Sequence, residues 1–152
     1  MWKVGHKKLK SIEVILLIVG AVVGVLLRYK MVSSPLVLGA LPVNVLFVNM
    51  IGSFILGAFS IISGYWNLDT KYTILVAVGF CGSLTTMSSF ALETSNLIDN
   101  RLFYVAAINI LANVWLSLGS LIAARVLTNI ILLRWGWLIE VIWLESKCGV
   151  WQ

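Results

Sequence analysis

The chain has 152 residues, of which 61% are hydrophobic and only 11% are charged, and its formal net charge is +5. A soluble domain carries roughly 25% charged residues, so this composition excludes one and indicates a protein whose solvent is a lipid bilayer. The single histidine, His6, lies in the basic N-terminal segment, which leaves acid–base or triad catalysis without a candidate base. We therefore expect no enzyme.

Apolar stretches of about 20 residues predict membrane-spanning helices. Four such stretches cover residues 12–27, 36–62, 72–94 and 102–124. The expected fold class is an all-α membrane protein with a four-span domain at residues 1–124 and a tail at residues 125–152.

The distribution of Lys and Arg predicts an orientation, because four spans place both termini on the same side. That side holds eight basic residues and the other side three. The eight are Lys3, Lys7, Lys8, Lys10, Lys71, Arg125, Arg134 and Lys147, and the three are Arg28, Lys30 and Arg101. The positive-inside rule then predicts that both termini are cytoplasmic.

The second span contains small and polar residues together. Gly52, Ser53 and Gly57 are typical of close helix packing, which we prefer to any ligand role for them. Asn49 differs, since a side-chain amide at mid-membrane is costly unless it bonds across helices or faces a wet cavity. Interhelical bonding and pore lining are equally good interpretations of Asn49 from this span alone.

The third span contains the stretch GFCGSLTTMSSFALE, residues 79–93, with two glycines, a run of five hydroxyl side chains and an acid. A helix that only anchors the protein does not need these residues. Irregular backbone at membrane depth is tolerated only where it is buried in protein or lines a wet cavity. The stretch therefore predicts a broken helix at a functional site.

The fourth span places Asn109 and Asn113 four residues apart, on one helical face that Ser117 and Ser120 roughly continue. Such a stripe of asparagines often forms hydrogen bonds between helices. Together with Asn49 and the hydroxyls of the third span, it also predicts a neutral lining of N–H and O–H donors, which suits an anion that must bind and leave. Phe90 alone indicates core packing or lipid contact, although an aromatic ring does have a positive edge.

The tail contains an apolar stretch, residues 126–144, that resembles a fifth span. Arg134 and Glu140 would then lie in the membrane, at a cost of roughly 2.5 to 3.5 kcal/mol for a central arginine. Four tryptophans in the tail favour the membrane interface instead. We expect an extension of the fourth helix followed by an interfacial helix.

Three strings of the chain resemble the Fluc (CrcB-type) fluoride channel family over essentially all of residues 15–122. They are GAVVGVLLRY at residues 20–29, PVNVLFVNMIGSF at residues 42–54 and GFCGSLTTMSSF at residues 79–90. The third string is very specific, and small multidrug exporters, which share the size and four spans, do not have it.

The resemblance implies a passive fluoride channel that exports cytoplasmic fluoride through the cell membrane and so relieves its toxicity. It implies an antiparallel, dual-topology dimer with two pores built by both chains and a structural sodium ion at the dimer interface. Main-chain carbonyls of Gly82 and Thr85 would hold the sodium. The implied fluoride pathway consists of Asn49, Met87, Ser88, Ser89, Phe90, Asn109 and Asn113.

Two charged residues receive auxiliary roles from the same resemblance. Arg28 matches a vestibule arginine and Glu93 an acid near the pathway. Arg28 is equally well interpreted as an anchor whose charged end reaches the interface, and Glu93 as a residue at the end of its helix.

The chain also departs from the family pattern. Met87 stands where the family has the first of two phenylalanines, and a thioether has no ring edge. The basic residues favour one fixed orientation, so we hypothesise that the chain pairs with a related, oppositely oriented partner rather than only with itself. The alternatives are a small proton-coupled multidrug exporter, although Glu13 lies only at the edge of its span, and a nonconducting subunit of a heterodimeric channel.

Overall fold

The computed structural model describes residues 10–33 and 36–148, with side chains through Arg134. Expectations for the basic residues 1–9 and for the tryptophans of the tail concern parts of the chain outside this description. Four helical segments are long and apolar enough to cross a membrane, which confirms the predicted all-α membrane fold. They are Ser11–Val32, Asn44–Tyr65, Thr70–Asp99 and Phe103–Arg134.

The elements follow one another in a simple order. They are α1 (Ser11–Val32), β1 (Val37–Leu38), β2 (Leu41–Pro42), α2 (Asn44–Tyr65), α3 (Thr70–Thr73), a π-helical segment (Ile74–Cys81), α4 (Gly82–Leu84), α5 (Met87–Asp99) and α6 (Phe103–Cys148). At the start of α1, the Glu13 carboxylate accepts a hydrogen bond of 2.8 Å from the Lys10 backbone N–H. Glu13 therefore lies at the end of its span and not at mid-membrane.

The second span begins later than the sequence indicated, because residues 36–43 do not join the helix. β1 and β2 form a short antiparallel hairpin, with Gly39 in the turn at a φ of 66°. Pro42 has no N–H to donate and so favours a position before the helix rather than inside it. The Asn44 side chain secures this arrangement by accepting from Leu36 N (2.7 Å) and donating to the Val32 carbonyl at the end of α1 (3.3 Å).

Glycines allow the helices to approach closely at two contacts. α1 packs on the π-helical segment, and a Cβ on Gly20 would collide with the Leu75 carbonyl. α2 packs on α6, and a Cβ on Gly57 would collide with the Leu121 carbonyl. This contact confirms close packing as the role of Gly57.

The third span is broken near its middle, as its hydroxyl-rich stretch predicts. The π-helical segment and α4 form the first arm, and α5 forms the second. Between them Thr85 and Thr86 have extended backbone, with ψ values of 151° and 113°. The break lies within a 30-residue span, so it falls at membrane depth with an arm on either side.

α6 has 46 residues and continues well past the fourth span. At 1.5 Å per residue it is about 69 Å long, roughly twice the thickness of the hydrocarbon core. The predicted extension beyond Ala124 is therefore helical, and it runs to Cys148 without a break into a second helix. The segment 126–148 has no proline and a single glycine, Gly136, so little in it would end a helix. The location of the tail at the interface stays a prediction.

Candidate functional site

A cavity of about 390 Å³ lies at the break, where α2, α5 and α6 meet. No Asp, Glu, Lys or Arg is among the described residues that line it. Its polar lining consists of side-chain amides and hydroxyls, chiefly Asn49, Asn113, Ser53, Thr85, Thr86 and Ser117. The site thus offers neutral hydrogen-bond donors and acceptors in a space large enough for a partly hydrated ion.

Asn49 connects α2 to the break. Its Oδ1 accepts a hydrogen bond of 2.9 Å from the Thr86 backbone N–H, and its Nδ2 donates to Asn113 Oδ1 at 3.1 Å. A longer contact of 3.4 Å joins Nδ2 to the Thr86 carbonyl. Asn49 therefore bonds across helices and also lines the cavity.

The approach of α2 to the break depends on a missing side chain. A Cβ on Gly52 would overlap the Thr85 methyl group, Cγ2. Gly52 lies three residues after Asn49, so both residues are on the same face of α2. Glycine at this position lets the Asn49 amide come within hydrogen-bond distance of Thr86.

The break leaves two carbonyl groups without their usual helical donors. In a regular helix the Thr86 N–H would donate to the Gly82 carbonyl, but here it donates to Asn49. The Ser89 N–H would donate to the Thr85 carbonyl, but here it donates to Thr86 Oγ1 at 3.2 Å. Carbonyl oxygens released in this way are the ligand type that hard cations prefer, so Gly82 and Thr85 fit the cation-binding role expected of them.

The hydroxyls after the break connect the cavity to a second one. Thr86 Oγ1 donates to Ser89 Oγ at 3.0 Å and lies 3.2 Å from Ser88 Oγ. Ser89 lines the second cavity, of about 300 Å³, together with Arg28 and Tyr29. Arg28 makes no ion pair with any described residue. A positive charge and a series of hydroxyls therefore lead toward the Asn49 cavity.

The remaining candidates differ in how they meet the cavity. Phe90 lines it and is 7% exposed, whereas Met87 lines it from the surface with 74% of its area exposed. Asn109 is not among the lining residues and has no exposed surface. Glu93 is half-buried and outside the lining, and its Oε2 has no hydrogen-bond partner among the described residues. Ser117 Oγ, in the lining, also lacks a partner there.

Two threonines take part that sequence reasoning did not single out as site residues. Thr86 forms the centre of the hydroxyl cluster, and its place in the hydroxyl run was a signal for it. Thr94 lies buried behind the cavity, where its Oγ1 accepts from Asn109 Nδ2 at 3.1 Å. The sequence gives no signal for Thr94, because the contact depends on how α5 is rotated against α6.

Comparison with known proteins places this architecture in a family. A model of the family described as CrcB-like protein, Camphor Resistance (CrcB), matches residues 15–125, well over half of the chain. The match ends at Arg125, within α6. The chain is 52% identical over 124 residues to the fluoride-specific ion channel FluC of Nitrosopumilus maritimus, covering 82% of this chain and 98% of that protein.

More distant relatives carry the same description. FluC of Methanocaldococcus jannaschii is 42% identical over 102 residues, which cover 67% of this chain and 82% of that protein. FluC of Pyrococcus furiosus is 36% identical over 121 residues, which cover 74% and 97%. This is a family of ion channels and not of enzymes. The family-model match over residues 15–125 and the identity to these relatives show that the chain belongs to the CrcB family.

Proposed function

We propose that the chain is a passive fluoride channel that exports cytoplasmic fluoride and thereby relieves its toxicity. The observation that carries this proposal is the 52% identity to a fluoride-specific ion channel over 98% of that protein's length. The cavity at the break supports it, because its uncharged amide and hydroxyl groups can donate hydrogen bonds to a small anion. An exporter that couples to protons would need a mid-membrane carboxylate in α1, and Glu13 lies at the end of that helix.

The proposed pathway uses weak contacts in series. Arg28 raises the local anion concentration in the second cavity, and Ser88 and Ser89 lead to the first. There the Asn49 N–H and the positive ring edge of Phe90 replace part of the hydration shell of the ion, and Asn113, whose N–H groups are bonded to Asn109, lies beside them. None of these groups in the Asn49 cavity carries a full charge, so the ion is held loosely enough to leave.

A dimer is proposed because the break is not covered within one protomer. Gly82 is exposed and Met87 is 74% exposed, although both lie at membrane depth beside irregular backbone. Lipid cannot satisfy freed backbone groups, so protein or a wet cavity must cover them. An antiparallel second subunit would cover the break and complete two pathways, each built by both chains.

A sodium ion at the dimer interface fits the same break. The carbonyls of Gly82 and Thr85, whose helical donors are used elsewhere, would hold it. Its positive charge would offset the partial negative charges of these carbonyls. The ion is thus a structural cofactor in this proposal.

The orientation proposal rests on charge. Eight basic residues on the side of the termini against three on the other favour one insertion direction, with both termini in the cytoplasm of a cell that carries the channel in its cell membrane. The antiparallel subunit would then be a related chain with the opposite bias. A homodimer of this chain alone that conducts fluoride, with tags on Met1 accessible from both sides, would overturn the pairing.

The function is tested by fluoride efflux. Purified chain is reconstituted in liposomes loaded with potassium fluoride, alone and with a co-expressed relative, and a fluoride electrode follows release after valinomycin is added. We expect fluoride release and retention of chloride in parallel chloride-loaded vesicles. No fluoride release in either preparation would contradict the proposal and favour a nonconducting subunit.

A further inference from the structure

A continuous chain of hydrogen bonds runs behind the cavity and joins two of its lining residues. It begins at the Asn49 amide, passes through Asn113, Asn109 and Thr94, and ends on the backbone carbonyl of Phe90. The successive distances are 3.1, 3.0, 3.1 and 2.8 Å. Asn109 is fully buried, and Asn113 and Thr94 are 5% and 7% exposed, so water has little access to these bonds.

The donor and acceptor of every hydrogen bond in this series follow from its last member, the Phe90 backbone carbonyl. The Phe90 carbonyl can only accept, so the Thr94 hydroxyl must donate to it at 2.8 Å. Thr94 Oγ1 then accepts from Asn109 Nδ2, which turns Asn109 Oδ1 toward Asn113 Nδ2. Asn113 Oδ1 is thereby left facing Asn49.

The first member of the series, Asn49, independently gives the same orientation of the amides. The Thr86 backbone N–H can only donate, so the Asn49 atom 2.9 Å from it must be Oδ1. Asn49 Nδ2 therefore faces Asn113, and a donor meets the acceptor that the far end places there. The orientation of all three amides is fixed by two backbone groups.

The donors that remain available to an anion differ among the three amides. Asn113 Nδ2 is taken up by Asn109, with contacts of 3.1 Å to its carbonyl and 3.0 Å to its Oδ1. Asn109 does not line the cavity. Asn49 Nδ2 has a second N–H whose contact with the Thr86 carbonyl is long, at 3.4 Å. Asn49 is thus the amide with a donor to turn toward an ion.

We propose that Thr94 and Asn109 are positioning residues that orient Asn113, and through it the anion-facing N–H of Asn49. This inference rests on the proposed fluoride conduction. It gives Asn109 a role behind the pathway rather than in contact with the ion, and it gives Thr94 a role in place of mere packing. It also couples Asn49 to Phe90, since the chain ends on the Phe90 backbone.

The test replaces the Thr94 hydroxyl by groups of decreasing hydrogen-bonding strength. Thr94→Ser keeps the hydroxyl, Thr94→Cys weakens it, and Thr94→Val removes it with little change of shape. The control, Thr128→Val, makes the same change at a position of α6 that is not part of this series of hydrogen bonds. The fluoride concentration that half-saturates the flux and the fluoride-to-chloride flux ratio are measured in liposomes containing equal amounts of folded protein.

We expect the half-saturating fluoride concentration to rise about tenfold in Thr94→Val, which corresponds to the loss of one orienting hydrogen bond. Thr94→Cys should lie between Val and wild type, and Thr94→Ser and Thr128→Val should match wild type. If Thr94 had a purely structural role, Thr94→Val would lower the amount of folded channel. It would change neither the fluoride-to-chloride flux ratio nor the half-saturating fluoride concentration. If Thr94→Val does not fold, the Cys and Ser pair decides.

Two failures are distinct. A wild type that conducts, with all Thr94 variants sharing its half-saturation and selectivity, overturns the positioning role alone. A wild type that passes no fluoride, alone or with a relative, overturns the proposed function and the positioning role with it.

Discussion

Replacing Asn49 by aspartate separates the two tasks of this residue. One carboxylate oxygen can still accept from the Thr86 N–H, now 2.9 Å from Oδ1, so the break stays capped. The other oxygen takes the place of Nδ2, where it can no longer donate to Asn113 Oδ1 or to an anion. The substitution therefore keeps the contact with the Thr86 N–H, loses the bond to Asn113, and reverses the polarity that faces the cavity.

The magnitude follows from the charge that Asn49→Asp introduces. Two like unit charges about 4 Å apart repel by about 4 kcal/mol at an effective dielectric constant of about 20. That energy corresponds to about a thousandfold lower occupancy by fluoride. We expect fluoride efflux from liposomes, followed by electrode at neutral pH, to fall by about this factor.

The matched control is Asn67→Asp, which adds the same charge at an exposed position in the loop between α2 and α3, outside the spans. It should conduct like wild type. Size-exclusion profiles and thermal unfolding in detergent establish that both variants are folded. If folded Asn49→Asp carries fluoride at a rate within about threefold of wild type, where about a thousandfold loss is expected, the assignment of Asn49 as the anion donor is wrong.

Other substitutions test the surroundings of Asn49. Gly52→Ala should lower the free energy of unfolding by about 1 to 3 kcal/mol, because the added Cβ overlaps the Thr85 methyl group. The control Gly64→Ala adds a Cβ in open space and should be neutral or stabilising. Equal melting temperatures of the two variants would refute the close contact at Gly52. Phe90→Leu fills similar space without a ring edge, so fluoride flux should fall by about tenfold; unchanged flux would remove the ring from the mechanism. Met87→Phe adds a ring edge at the cavity and should raise flux; a decrease would contradict that role.

Local composition was sufficient to predict the main features of the fold. Four apolar stretches identified four spans, and the glycines and hydroxyls of residues 79–93 identified the break. Each of these signals is local to its own segment of the chain and can be recognised without knowing how the helices pack. Hydropathy failed at residues 36–43, because Leu36, Val37, Leu38 and Leu41 are as apolar in a hairpin as they would be in a helix.

The site itself depends on contacts between distant segments. Asn49 and Thr86 are 37 residues apart, and Asn109 and Thr94 are 15 apart on different helices. Whether an asparagine lines a cavity or bonds behind it depends on the rotation of its helix, which a periodic pattern leaves open within one face. For that reason Asn49 and Asn109 appeared equivalent in sequence and differ in the structure.

The most direct test of fluoride conduction is the rate at which single vesicles lose fluoride. Protein is reconstituted so sparsely that most liposomes hold no channel, together with a related partner, and fluoride release is recorded after valinomycin. A channel predicts two populations: occupied vesicles empty at once, faster than a carrier turns over, and the rest retain their fluoride. Slow release that continues steadily from occupied vesicles, or no release, would contradict passive conduction through the Asn49 cavity.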